Sequence, residues 1–409
     1  MKIWIKLAIG SALGIFLGVV APESPGFTAV LAWLEQLVLR LGRYTLVPVL
    51  FFSLTIGFCQ LRKDGKLLAT FVKSALLLVG ICVLVIFAGI AAALVFPPGK
   101  ISIIDEVQPD QISIDIPASV LEMFPGNMLS PLSGDGVYLL PLYVFAIFLG
   151  MGLSYDKTYS KPVIALIDSL SRIFFHIASF FIDILGFLMI ALCAYWSVRF
   201  RGALQMEVFG GLIALLSVIA ATLVFVVFPL LLYLLKPRSN PWAVLYGSAA
   251  PAIAGFFSGD LNFALPVLLR HGKENFGVSR RSASFTVAMF STFCRAGSAM
   301  VAAVAFIAIF NSYSRIEISP AEIFSVALNA LAVSFLLSRH PGNAAYAALV
   351  VLCQGFARDF EEGYLILRPI AFYLVAVGTL IDIMIVSFAN YAVARMNGYT
   401  EEKTPGRFI

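Results

Sequence analysis

The chain has 409 residues, of which 60% are hydrophobic and only 12% are charged. This composition excludes an ordinary water-soluble globule, whose core does not need so much apolar material. The net charge of +5 is small for this length and gives no indication of nucleic-acid binding. Ten-residue alternating segments are absent, so the composition predicts an all-α polytopic membrane protein.

Apolar runs separated by proline, glycine and charged clusters predict six membrane spans in the first part of the chain. Each run approaches or exceeds the roughly 20 residues that cross the hydrocarbon of a bilayer. The first run begins with Lys2 and Lys6, and its length favours a retained span over a cleavable signal peptide. The predicted spans cover residues 3–22, 29–61, 68–96, 137–154, 163–197 and 208–235.

The charges between the spans predict the orientation of the chain. Basic residues in the loops after the second, fourth and sixth spans predict that these loops and both termini lie in the cytoplasm. The predicted location is the inner (cytoplasmic) membrane. Residues 101–136 carry acidic but no basic side chains and are predicted to form an external loop. Arg199 and Arg201 fall on the predicted outer side and do not fit this orientation. The cytoplasmic basic residues are Arg62, Lys63, Lys66, Lys157, Lys161, Lys236 and Arg238.

Beyond Pro241 the apolar segments become shorter, and two of them are interrupted in the middle. The interruptions lie at residues 255–266 and 338–343, and each precedes a long span. This pattern is typical of two helical hairpins that enter the membrane partway, are related as inverted repeats and bring their tips to a substrate site. A set of ordinary kinked helices fits the spacing equally well.

Motifs of enzymatic chemistry are absent from the sequence. We find no His-Glu-x-x-His zinc motif, no Gly-x-Ser-x-Gly elbow and no Walker loop. The five cysteines lie in apolar segments without the spacing of a zinc site or a disulfide framework. We therefore expect no enzyme, no catalytic residue, no metal site and no cofactor, and uphill transport would need an ion gradient or an exchanged solute.

Five sequence blocks resemble the dicarboxylate/amino acid:cation symporter family, also called the glutamate transporter family, and they occur in the order of that family. The resemblance implies eight transmembrane helices, two re-entrant hairpins with inverted repeats, a homotrimer and an elevator mechanism. The blocks are residues 44–57 (YTLVPVLFFSLTIG), 96–99 (FPPG), 140–150 (LPLYVFAIFLG), 264–286 with ALPV, FGVS and SFT, and 341–342 (PG).

The resemblance also implies a division of the chain into a static scaffold and a mobile transport domain. Residues 1–67 would form scaffold helices one and two, and residues 137–204 scaffold helices four and five. Residues 68–100 would form helix three of the transport domain. Residues 205–398 would supply the remainder of that domain, namely helices six, seven and eight and both hairpins. Residues 101–136 would be the external acidic loop and residues 399–409 a cytoplasmic tail.

The residues that bind sodium and substrate in this family are largely replaced. The family signature Asn-Met-Asp-Gly-Thr in the seventh helix corresponds to residues 294–298 (CRAGS), so the carboxylate becomes Ala296 and Arg295 adds a positive charge. A guanidinium beside a cation site opposes sodium strongly in a low dielectric. Only Gly297 and the hydroxyl of Ser298 remain. In the eighth helix, the alignment puts Gly378, Val375 and Val386 at charged positions of the family, and Asp382 at its asparagine.

Both hairpin tips also depart from the family. The serine-rich first tip becomes residues 259–264 (GDLNFA), and the glycine-rich second tip becomes residues 334–342 (SFLLSRHPG). Buried charges in a membrane are costly, so those that remain are candidates for a rebuilt site. The predicted tip residues are Gly259, Phe263, Ser338, Pro341 and Gly342. The substrate-binding candidates are Arg295, Ser298, Asp260, Asn262, Arg339 and Asp382, and the coupling-ion or proton candidates are Asp382, Asp260 and His340.

Two structural alternatives stay open for these candidates. In the first, Asp382 pairs with Arg295 or another donor and only stabilises the transport domain. In the second, His340 is an exposed loop residue.

The sequence thus predicts a secondary-active transporter of a small organic solute, by resemblance an amino acid or dicarboxylate such as glutamate or aspartate. The altered residues favour an anionic or zwitterionic solute and coupling to protons rather than sodium. The expected partners are the solute, membrane lipids and two further copies of the chain, without nucleic acid. Alternatives are a standard symporter, a channel-like anion-conducting member, and a non-transporting or apolar-ligand-binding homologue that uses Phe263, Leu336 and Leu337.

Overall fold

The computed structural model describes residues 2–21, 24–101, 121–155, 158–204, 207–235, 240–314, 318–356 and 361–401. Within these ranges the secondary structure is helical, apart from one isolated bridge between Val278 and Thr400. The predicted all-α class is therefore confirmed. Most of the predicted external loop and of the tail lies outside the described residues, as do Lys157, Lys236 and Arg238.

The helices follow one another in a simple order along the described chain. They are α1 Ile3–Val20, α2 Pro25–Arg43, α3 Leu46–Lys63, α4 Leu67–Val95, α5 Leu140–Tyr155, α6 Lys161–Leu204, α7 Gly210–Leu235, α8 Pro241–Gly247, α9 Ala249–Ser258, α10 Leu261–Glu274, α11 Arg280–Phe293, α12 Ala296–Tyr313, α13 Pro320–Ser334, α14 Ala344–Gly355 and α15 Ala371–Met396.

Seven segments of the described chain are long and apolar enough to cross a bilayer. They are Ile3–Val20, Pro25–Lys63, Leu67–Val95, Lys161–Arg201, Gly210–Leu235, Arg280–Tyr313 and Gly363–Met396. Their bounds agree with the predicted spans to within a few residues at most ends. The remaining predicted helix is α5, whose 16 residues reach about 24 Å, less than the roughly 30 Å of hydrocarbon. The protein is a multi-pass membrane protein.

Two helix–turn–helix units lie where the sequence predicts hairpins. Hairpin 1 consists of α8, α9 and α10, and its tip is the Gly259–Asp260 turn; hairpin 2 consists of α13 and α14, joined by residues 335–343. Gly259 has a φ of +63°, a left-handed conformation that glycine adopts at little cost. None of α9, α10, α13 and α14 exceeds 15 residues, about 22 Å, so none of them crosses the hydrocarbon alone.

The centre of the fold is built around α12 and α15. Every residue of α12 from Ala296 to Phe310 is buried, and α12 packs against α4, α14 and α15. The chain between α11 and α12 is broken at Cys294 and Arg295, which have non-helical backbone angles. The break leaves the first N–H groups of α12 without partners inside the helix.

The first helix lies along α6 through a stripe of small residues. Gly10, Gly14 and Gly18 face α6, and a Cβ at Gly14 would lie only 2.8 Å from the Cβ of Cys193. Real side chains do not approach so closely without a shift of the backbone. The two helices therefore depend on glycine for their close packing.

Replacing Gly14 by valine is expected to destabilise the protein by about 1–3 kcal/mol, because the added atoms force α1 away from α6. Gly80 on α4 is a matched control, since a Cβ there meets nothing within 4 Å. Gly80→Val is expected to change stability by no more than about 0.5 kcal/mol. Thermal unfolding of both variants in the same detergent checks this, and equal losses would contradict the role of the stripe.

Candidate functional site

Asp382 on α15 holds the broken end of α12. Its carboxylate accepts hydrogen bonds from the backbone N–H of Gly297 at 2.7 Å, the N–H of Ser298 at 3.3 Å and the Ser298 hydroxyl at 2.6 Å. The side chain is fully buried. A carboxylate at a helix N-terminus satisfies orphan donors and interacts favourably with the helix dipole. Asp382 and Ser298 are thus brought together, as partners of each other.

Arg295 lies next to this arrangement but forms no ion pair with Asp382. Its side chain is 1% exposed, and its Nε and Nη1 atoms have no hydrogen-bond partner within the described part of the chain. Asp382 and Asp260 interact with it electrostatically, but neither forms an ion pair with it. The sequence left open whether Asp382 pairs with Arg295 or with another donor. In the structure its donors are Gly297 and Ser298. A buried guanidinium without close partners is energetically costly.

The polar residues of the hairpin 1 tip contact elements outside the hairpin. Asp260 accepts a hydrogen bond from Nε of Arg43 on α2 at 2.6 Å and a second from its Nη2. The amide of Asn262 donates to the carbonyl oxygens of Gly136 at 3.0 Å and Val137 at 2.8 Å. These two candidates therefore join the hairpin to α2 and to the segment before α5.

The hairpin 2 tip makes a similar contact. Arg339 pairs with Glu122 at 2.9 Å, in the segment that follows the undescribed part of the predicted external loop. Ser338 and His340 are half-buried, and Pro341 is buried. His340 is thus neither fully exposed nor part of the core.

Gly342 brings the two tips together. A Cβ at Gly342 would lie 3.6 Å from Nη2 of Arg43 and 3.9 Å from the Cβ of Asp260. Gly342 of hairpin 2 therefore lies against the ion pair between Asp260 of hairpin 1 and Arg43 of α2.

The space between α12, α15 and hairpin 2 is filled by protein. A Cβ at Gly378 would lie 3.0 Å from the Cα of Ser298 and 3.1 Å from the Cβ of Ala345. Phe263 and Leu337 are 1% and 0% exposed. These two side chains are packed against protein, whereas Leu336, the third residue of the predicted apolar-ligand site, is half-buried.

An open cavity of about 280 Å³ lies beside the two tips, and we call it the tip cavity. It is lined by Gly259 and Gly342 of the tips, by the end of α6, by the start of α15 and by α2. Its charged residues are Glu35, Arg199 and Arg368. The Arg199 guanidinium lies over the ring of Phe372, 5.0 Å from the centroid, in a cation–π contact.

Sequence reasoning missed the tip cavity. Arg199 stood out only as a misfit to the membrane orientation, and Glu35 was not singled out. The signal that could have found both is a charged residue inside an apolar span.

Residues 3–396 match the sodium:dicarboxylate symporter family. The chain belongs to this family. A proton/sodium-glutamate symport protein of Bacillus caldotenax is 25% identical over 415 residues, which cover 97% of this chain and 95% of that protein. Excitatory amino acid transporter 1 of Homo sapiens is 26% identical over 54% of this chain and 41% of its own length. C4-dicarboxylate transport protein 2 of Ralstonia nicotianae is 26% identical over 54% of this chain and 51% of its own length.

This member of the sodium:dicarboxylate symporter family has a second cavity with a different character. The cavity measures about 450 Å³ and lies between α3, α4, α5 and α11. Among the residues that the structure describes, no charged side chain lines it, and the hydroxyl of Tyr143 lies 3.4 Å from that of Ser291, within hydrogen-bonding distance. It therefore offers no group that selects a charged solute, unlike the tip cavity.

Proposed function

We propose that this family member is a secondary-active transporter of a small organic anion or zwitterion, and that its coupling does not use sodium. The observation that carries the proposal is the buried Arg295, whose Nε and Nη1 have no partner. It stands at the helix break where the resemblance implies a sodium site. Its positive charge disfavours a cation there and favours an anion, because charges interact strongly in a low dielectric.

The oxygen atoms near the break support the same proposal. Sodium is held by oxygen ligands, and the carboxylate that the family signature supplies is replaced by Ala296. The carboxylate of Asp382 is engaged by Gly297 and Ser298. A sodium ion would have to displace these donors and also approach Arg295.

The printed names of the relatives indicate carboxylates as the solute class, since they include glutamate and C4-dicarboxylates. For this chain we propose a carboxylate solute and proton coupling through Asp382, Asp260 or His340. We also propose an elevator mechanism, a homotrimer, and an inner-membrane location with both termini in the cytoplasm. The absence of a Walker loop from the sequence agrees with transport driven by a gradient.

Aspartate and glutamate are expected to give no sodium-dependent stabilisation of the purified protein. Tight binding at 100 times the dissociation constant would add about 2.7 kcal/mol, which thermal unfolding detects easily. The measurement compares melting in sodium and in choline salts, with and without each amino acid. Uptake into proteoliposomes, with either a sodium or a pH gradient, is the companion assay. A melting shift that requires both sodium and aspartate would contradict the proposal that coupling does not use sodium.

A further inference from the structure

Arg43 is the last residue of α2, and its side chain extends to the tip of hairpin 1. The Arg43 side chain is 19% exposed, whereas its partner Asp260 is 1% exposed. The arginine therefore keeps some contact with open space while it holds a buried carboxylate.

The guanidinium of Arg43 lies beside Gly342, a residue that lines the tip cavity, although Arg43 itself does not line it. Gly259 and Gly342 line that cavity, and the vacant side-chain position of Gly342 is 3.6 Å from Nη2 of Arg43. Glu35, also in the cavity wall, is within electrostatic range of Arg43. The tip cavity and the Arg43 guanidinium therefore have Gly342 as a common neighbour.

The contact between Arg43 and Asp260 has the form of carboxylate recognition. Nε and Nη2 of Arg43 both donate to Oδ2 of Asp260, while Oδ1 accepts the N–H of Asn262 at 2.8 Å and caps α10. Arginine commonly binds carboxylates, of side chains and of free solutes alike, with two parallel N–H···O bonds. Here both donors share Oδ2, and the other oxygen caps α10. Asp260 thus presents to Arg43 the same chemical group that a carboxylate solute would present.

We propose that Arg43 is a carboxylate-binding site between α2 and the hairpin tips, and that Asp260 occupies this site from within the protein until a solute carboxylate displaces it. The inference rests on the proposed anionic solute and names a place where its carboxylate binds. Exchange of one carboxylate for another keeps the partly buried charge of Arg43 paired, while the displaced Asp260 still accepts the N–H of Asn262 on its Oδ1.

The Asp260→Ser variant tests the proposal, because serine keeps the N-cap of α10 but removes the carboxylate and leaves room beside Arg43. The variant is expected to melt below the parent in chloride. Acetate at the same ionic strength is expected to raise its melting temperature by about 2–4 °C more than it raises that of the parent.

Two controls make this result specific. Asp183→Ser removes a carboxylate from a different ion pair of hairpin 1, with Arg270 at 3.1 Å, and is expected to respond to acetate as the parent does. The double variant Arg43→Ala/Asp260→Ser is expected to lose the extra response. An acetate response of Asp260→Ser no larger than that of Asp183→Ser, or one that persists in the double variant, would overturn the proposal.

If Asp260→Ser does not yield folded protein, Asp260→Asn replaces it and the same acetate comparison decides. The assay reads binding on purified protein and needs no transport. Rescue by acetate without uptake of any carboxylate would overturn the proposed function but leave the Arg43 site standing. Sodium-free uptake of a carboxylate without rescue by acetate would overturn the Arg43 site but leave the proposed function standing.

Discussion

Replacing Asp382 by alanine is expected to lower the free energy of unfolding by roughly 3–5 kcal/mol, because buried donors lose a charged acceptor. The carboxylate is fully buried and holds two backbone N–H groups at the start of α12 as well as the Ser298 hydroxyl. Alanine supplies no acceptor and leaves a void at the centre of the fold. Denaturant or thermal unfolding measures the loss directly.

Asp183 provides the control for this prediction. Its side chain is 45% exposed and pairs with Arg270, so Asp183→Ala is expected to cost no more than about 1 kcal/mol. Asp382→Asn keeps one oxygen acceptor, so its loss in the free energy of unfolding is expected to lie between those of Asp382→Ala and Asp183→Ala. If Asp382→Ala lost no more free energy of unfolding than Asp183→Ala, the Asp382 carboxylate would not stabilise the break between α11 and α12.

Arg295→Met should leave the protein folded but strongly reduce uptake of its solute. Replacement of a buried charge without close partners by an apolar side chain of similar length is expected to be neutral or stabilising by about 1–4 kcal/mol. Loss of a buried charged contact to an anion costs at least about 2 kcal/mol, or roughly 30-fold in binding or uptake. Melting temperature and proteoliposome uptake are measured on the same preparation.

Arg172→Met is the matched control, because the Arg172 side chain is 66% exposed and pairs with Asp168 one helical turn away. It should change neither melting nor uptake appreciably. Full uptake by Arg295→Met would remove the main support for an anionic solute. Unfolding of Arg295→Met would instead mean that the guanidinium has a partner that stabilises it.

The spans and hairpins could be predicted because their signals are local. A run of apolar residues has a length that matches the bilayer, and glycine or proline interrupts it where a helix must stop. Gly259 is an example, since the turn of hairpin 1 needs its left-handed backbone. The sequence also identified Arg295, Asp260 and Asp382 as buried charges, because a charge inside an apolar segment is conspicuous, whereas the Arg339 side chain is 38% exposed.

The partners of those charges could not be predicted in the same way. Arg43 and Asp260 are separated by 217 residues, as are Glu122 and Arg339. Nothing in the local sequence links them, so the sequence predicted Asp260 and Arg339 as substrate-binding candidates without indicating the residues that they contact. Their part in substrate binding stays a prediction. The alignment also suggested Arg295 as a partner for Asp382, but the free N–H groups at the break of α12 offer closer donors.

The glycine stripe of α1 has a consequence for how the sequence of this helix can drift among descendants of the protein. On the face toward α6, Gly10, Gly14 and Gly18 leave space for nothing larger than hydrogen, so we expect substitutions there to be selected against. On the opposite face, Phe16 and Val20 are 64% and 65% exposed, where lipid accepts any apolar side chain. We therefore expect few substitutions at the positions of α1 that face α6 and more at the exposed positions. The substitution rate along α1 should vary with the period of the helix.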